Sequence, residues 1–200
     1  MANASHSYRI VKPVSKLRGE PLFEGEPATL PALFLYAAEK FDRADALNYK
    51  RDGAWHSISS FEVVRRAENI ALGLHSLGLR KGDRVAIFAA NSPEWTLTDA
   101  GCQFAGVIDA PIYTTLSAGQ VKYILQDSTS KILFVDTPAA FERVSEAARE
   151  CGALEHIVFF DAAGEMPADA LLLSDLEARG AAPREREPEL IAALANAVEP

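Results

Sequence analysis

Four short apolar runs, RVAIFAA (84–90), GVIDAPI (106–112), KILFVD (131–136) and HIVFF (156–160), recur with a helical segment between each and the next. Runs without polar alternation are what strands look like when both faces are covered. Strands alternating with helices predict an α/β fold, an open, mostly parallel sheet with helices on both faces. The helices announce their starts. Ser92-Pro93-Glu94 offers a cap and a proline at the first helical position. Ser117-x-x-Gln120 is a capping box for a helix to about Asp127. Thr137-Pro138 opens a helix to about Cys151-Gly152.

Upstream the pattern differs. Residues 1–28, punctuated by Pro13, Gly19, Pro21, Gly25 and Pro27, read as an extended arm. Thr29 caps a helix with Leu33, Phe34, Ala37, Ala38 and Phe41 at helical spacing. ALNYKRDGAWHSIS predicts a β-hairpin, because Asp52-Gly53 accepts positive φ at both turn positions. Ser59-x-x-Glu62 is another capping box. It opens a helix whose buried face is Val63, Val64, Ala67, Ile70, Ala71, Leu74 and Leu77, ended by Gly78. The expected division is an arm over 1–28, an α/β unit over 29–160, and a loop with short helices over 161–200. In that last part LLLSDLEARG reads as a short helix and PREREPE (183–189) as a solvated connection.

The net charge of −8 and the lack of any Lys/Arg block argue against a nucleic-acid surface. Cys102 and Cys151 form neither a disulfide framework nor a metal pattern, so reduced thiols are expected. The first residues lack the apolar core of a signal peptide, and no window approaches a membrane span. The expectation is a cytoplasmic protein, compatible with peripheral membrane contact.

The residues alone do not identify a reaction. There is no G-x-x-x-x-G-K-[ST], G-x-G-x-x-G or G-x-S-x-G. His6, His56, His75 and His156 lack metal-ligand spacing. Ser92 and Ser117 read as caps, Trp95 as a packing anchor and Trp55 as a hairpin residue. What remains is a sheet whose carboxyl edge, where open sheets bind ligands, carries several helix N-termini.

Four motifs in order carry a resemblance. SISSFEV (57–63) is similar to a Thr-Tyr-x-Glu-Leu motif, and LGLRKGDRVAI (77–87) to a Gly-hydrophobic-x-x-Gly-Asp-x-Val-Ala stretch. NSPEW (91–95) is similar to Asn-x-x-Glu-Trp, and FAGVIDAPIYTTLS (104–117) to Ala-Gly-x-x-x-x-Pro. Together they resemble the N-terminal region of AMP-forming acyl-CoA synthetases of the adenylate-forming superfamily. Pro-x-Tyr-x-Thr points to the long-chain fatty-acid–CoA ligases. The resemblance covers about residues 30 to 180. The family's Ser/Thr/Gly-rich phosphate loop, ribose-binding Asp, hinge and C-terminal domain with its catalytic Lys match nothing in these 200 residues.

The resemblance implies a parent enzyme that joins a long-chain fatty acid to ATP, releases pyrophosphate, and passes the acyl group to coenzyme A with Mg²⁺ as cofactor. It implies that this part alone is inactive, binds no cofactor tightly, holds no catalytic residue and self-associates through an exposed subdomain surface. In acetate-activating relatives the loop at YTTLS is glycine-rich and borders the coenzyme A groove. Here Thr114 and Thr115 stand in that place, with Arg143 in the next strand–helix unit as partner for the nucleotide's phosphate. Two alternatives stay open: a fatty acyl-AMP ligase that hands the acyl group to a carrier protein, and a stand-alone α/β binding domain.

Overall fold

The structure, a computed structural model, describes residues 25–199. The arm expected over 1–28 therefore lies, up to residue 24, outside the described residues. Helix α1 (Leu30–Phe41) leads into a hairpin of β1 (Leu47–Arg51) and β2 (Ala54–Ile58), then α2 (Ser60–Ser76) and β3 (Arg84–Phe88). Next come α3 (Pro93–Ala105), β4 (Ile108–Ile112), α4 (Ala118–Ser128), β5 (Ile132–Val135), α5 (Pro138–Glu142) and α6 (Ser145–Arg149). The chain continues through β6 (His156–Phe159), β7 (Leu171–Leu172), α7 (Leu173–Arg186) and α8 (Pro188–Ala197).

Strands β3 to β7 make one parallel sheet in the order β4-β3-β5-β6-β7. The hairpin is a separate antiparallel pair. Alternate residues feed two cores. Val85, Ile87, Ile132, Phe134 and Val158 pack under α1, α2, α3, α7 and α8. Ala86, Phe88, Leu133, Val135 and Phe159 pack under α4, α5 and α6. Phe88, Phe134 and Phe159 are fully buried, each worth about 2–3 kcal/mol of transfer free energy. The both-faces expectation is thus met at the centre of the sheet.

Local chemistry explains most boundaries. Ser92, Ser117 and Thr137 cap α3, α4 and α5, and only Ser117–Gln120 forms the reciprocal box. The hairpin turns on Asp52 (φ 51°) and Gly53 (φ 80°), the two positive values a type I′ turn demands. Helix α2 ends on Gly78 (φ 91°). The Leu79 amide reaches back to the Leu74 carbonyl and the Gly78 amide to His75, both at 3.1 Å, a Schellman end.

The structure corrects several expectations. Leu171–Leu172 is an edge strand rather than the start of a short helix, because it pairs with Val158 and Phe159. PREREPE is not a solvated connection: Pro183 and Arg184 lie inside α7, and Arg184 pairs with the buried Glu68 at 2.6 Å. The helix expected from Thr137 to Cys151 breaks at Arg143–Val144 into α5 and α6. Ser59 accepts from the Glu62 amide, but the Glu62 carboxylate turns to Arg65 (2.8 Å) and leaves the second arm of that box unmade. On α1 the buried residues are Pro31, Leu35 and Ala38, whereas Leu33 and Phe41 face outward.

Strand β4 is the other edge, and Ile108 is 54% exposed. The Ile108 amide bonds the Asp83 carbonyl of the β3 side, so Asp109 and Pro111 point their backbone away from the sheet. A proline there removes a donor from the open edge, a guard against strand addition.

Candidate functional site

In the sheet order, β4 and β5 flank β3, so the direction in which successive strands are added reverses beside β3 while all strands stay parallel. The carboxyl ends of β3 and β5 therefore diverge into the crevice that doubly wound sheets use for ligands. A cleft of about 560 Å³ opens here, lined among others by Arg51, Ala90, Glu94, Asp136, Phe160 and Asp161. Asp136 follows directly on β5. Both its carboxylate oxygens accept from the Ala90 amide, at 3.0 and 2.9 Å. Burial pushes the Asp136 pKa upward, and the Ala90 bond opposes that. The hairpin reaches over the cleft: Arg51 Nη2 meets Glu94 Oε1 at 3.0 Å.

The three sequence-predicted site residues lie on the same carboxyl edge. Thr114 and Thr115 form the turn between β4 and α4, Thr114 partly buried and Thr115 exposed. Arg143 follows α5. Its Nη2 donates to the Thr114 carbonyl at 2.8 Å, and its guanidinium lies 5.8 Å from the Phe88 ring centroid. The structure thus brings Arg143 to Thr114. Thr115 stands beside them without a described contact to Arg143. Arg143 has no ion pair among the described residues, so its charge faces solvent unspent. A guanidinium with donors to spare suits a phosphate.

Other reactive groups lie elsewhere. Gln103 Nε2 sits between Asp99 and Asp109, at 3.3 and 3.4 Å, beside the β4 edge. Burial, then the neighbouring Asp99 charge, pushes Asp109 up to about 6. The two cysteines are free and buried, and burial raises the Cys102 thiol well above its usual range. His56 stacks on Tyr49. Among the described residues no three His, Cys, Asp or Glu side chains could hold a metal ion. Among the described residues no helix is long and apolar enough to cross a membrane.

Sequence reasoning missed Phe88, Asp136 and the Arg51–Glu94 pair. Asp136 had a readable signal, an acid directly after a continuous apolar run. The other contacts join residues that only the fold brings together.

Comparison with known proteins gives the following. The family described as "AMP-binding enzyme" matches residues 34–195. The long-chain-fatty-acid–CoA ligase ACSBG1 of Mus musculus is 34% identical over 145 residues, 72% of this chain and 20% of that protein. The long-chain-fatty-acid–CoA ligase FadD15 of Mycobacterium bovis is 35% identical over 156 residues, 74% of this chain and 26% of that protein. The crystal structure of the anthranilate CoA ligase AuaEII with anthranoyl-AMP superposes with a TM-score of 0.67 at 21% identity, covering 82% of this chain and 30% of that one. That last likeness shows the fold. The chain spans a fifth to a quarter of the length of these two curated relatives.

Proposed function

This chain belongs to the AMP-binding enzyme family, and we propose that it is the N-terminal part of a long-chain fatty-acid–CoA ligase. The observation that carries the reading is its 34–35% identity to two ligases of that name, from mouse and a mycobacterium, over nearly three quarters of its length. The parent reaction has two steps. The fatty-acid carboxylate attacks the α-phosphorus of ATP and expels pyrophosphate. The thiol of coenzyme A then attacks the acyl carbon and expels AMP.

Within that reaction the chain supplies a wall of the coenzyme groove. The turn Thr114–Thr115 borders it. Arg143 offers a cation to a phosphate of the coenzyme's nucleotide, supported by its unspent charge and its place on the carboxyl edge. The 560 Å³ cleft on the same edge is where a doubly wound sheet presents ligands. We assign no residue of this chain to bond making or breaking and propose that the chain by itself is inactive. Leu30, Leu33 and Phe41, 50%, 48% and 60% exposed on α1, support self-association of the isolated chain. Its setting is the cytoplasm.

The test is pyrophosphate exchange into ATP. The full-length ligase is expected to exchange in the presence of long-chain fatty acids, and the isolated chain to give none. Acyl transfer to a phosphopantetheinyl carrier protein but not to coenzyme A would replace the acceptor in this reading. Exchange by the isolated chain would overturn its inactivity.

A further inference from the structure

We propose that Phe88 is a positioning residue for coenzyme A binding: its ring, together with the Thr114 carbonyl, fixes the Arg143 guanidinium in the orientation that meets the coenzyme's phosphate. The inference rests on the coenzyme reading above.

Arg143 is exposed and follows a five-residue helix. A free arginine there would sample many rotamers, and ordering it on a ligand costs side-chain entropy. Two contacts from different elements remove that freedom beforehand. Phe88, the last residue of β3, is fully buried, and its ring lies 5.8 Å from the guanidinium carbon. Thr114, on the turn after β4, accepts one N–H at 2.8 Å. The guanidinium has five N–H donors, so most remain for an anion. No carboxylate among the described residues competes for them.

The arrangement also gives the Thr114 backbone a role. A turn of this kind can serve an anion directly with bare amides. This one serves through a carbonyl, which steers a cation, and the cation serves the anion. Burial makes the Phe88 ring a fixed platform, and a contact at such a partly exposed cation is worth roughly a twofold to fivefold change in affinity.

The experiment is a double-mutant cycle in the full-length ligase, reading KM for coenzyme A and kcat separately. Arg143→Ala should raise KM about tenfold with kcat within twofold. Phe88→Met, which stays apolar and unbranched but removes the ring, should raise KM about threefold. In the Arg143→Ala background it should add nothing, because the contact is already gone. A Phe88→Met effect that persists undiminished without Arg143, or no effect at all, overturns the positioning role while leaving the groove in place. An unchanged KM in Arg143→Ala overturns the coenzyme reading itself and this inference with it. If Phe88→Met folds too poorly for kinetics, Arg143→Lys reads the same contact from the other side. It keeps the charge but not the planar fork, and should raise KM about threefold. An unchanged KM for Arg143→Lys overturns the proposal.

Discussion

Arg184 of α7 donates through Nε to the Glu68 carboxylate of α2 at 2.6 Å, and the Glu68 side chain is only 2% exposed. Beside it, Arg66 of α2 grips Glu177 of α7 with three hydrogen bonds of 2.6–3.1 Å. Between the pairs the helices approach until Gly180 touches the Asn69 backbone. The α2–α7 contact is therefore a close crossing reinforced by two ion pairs.

Arg184→Ala removes the guanidinium from a buried carboxylate and should cost about 3 kcal/mol. Replacing both partners, Glu68→Met with Arg184→Met, should cost less than the single change, since no uncompensated charge remains. Urea unfolding of the wild type and the two variants measures this. Equal losses in the single and double variants would show that the pair acts only by packing.

Gly180→Ala should destabilise by more than about 2 kcal/mol. A Cβ there would stand 1.8 Å from the Asn69 carbonyl oxygen, which is backbone and cannot swing aside. Gly119→Ala is the control. Its Cβ would meet open space on α4, and removing chain entropy from the unfolded state should stabilise by about 0.5 kcal/mol. Melting temperatures that fall equally in both variants would contradict the close crossing.

The Asp99–Asp109 pair gives the fold a pH dependence. Burial, then the Asp99 charge, lifts Asp109 to about 6 from the ordinary 3.8. The folded chain therefore keeps a proton that the unfolded chain releases. The stability this group contributes is fully present below about pH 4 and lost as the pH rises through about 6. Asp109→Asn should melt with the wild type at pH 4 and about 3 °C above it at pH 7.5, allowing for screening at the open edge. A constant difference across that range would show that Asp109 is not the titrating group.

The hairpin should open at its tip before its base. At the base, Ser60 and Arg43 exchange hydrogen bonds of 2.8 and 3.1 Å, and Ile58 is buried. At the tip the Arg51–Glu94 ion pair, with Arg51 57% exposed, is worth at most about 1 kcal/mol. Glu94→Gln should speed amide exchange near Asp52 severalfold and leave Leu47 and Ile58 unchanged. Uniform acceleration would show that the hairpin moves as one piece.

The sheet was legible because β3 and β5 lie at its centre, where every residue is covered and the apolar run is unbroken. Strand β4 was read as a strand but not as an edge, although Pro111 marks one. Strand β7 escaped because two leucines are too few for periodicity and merge with α7. PREREPE looked solvated because charge alone does not disclose a partner 116 residues away, as Glu68 is from Arg184. At the candidate site Thr114, Thr115 and Arg143 came from the resemblance. The contacts of Arg143 to Thr114 and Phe88 came only from the fold, since they join the end of one strand to two separate connections of the sheet.

The measurement that bears most directly on the account is a product analysis of the full-length protein with a long-chain fatty acid, ATP and coenzyme A. The account predicts acyl-CoA, AMP and pyrophosphate in equal amounts, with a raised coenzyme KM in Arg143→Ala. ADP as the nucleotide product, or no pyrophosphate with any fatty acid, would contradict it.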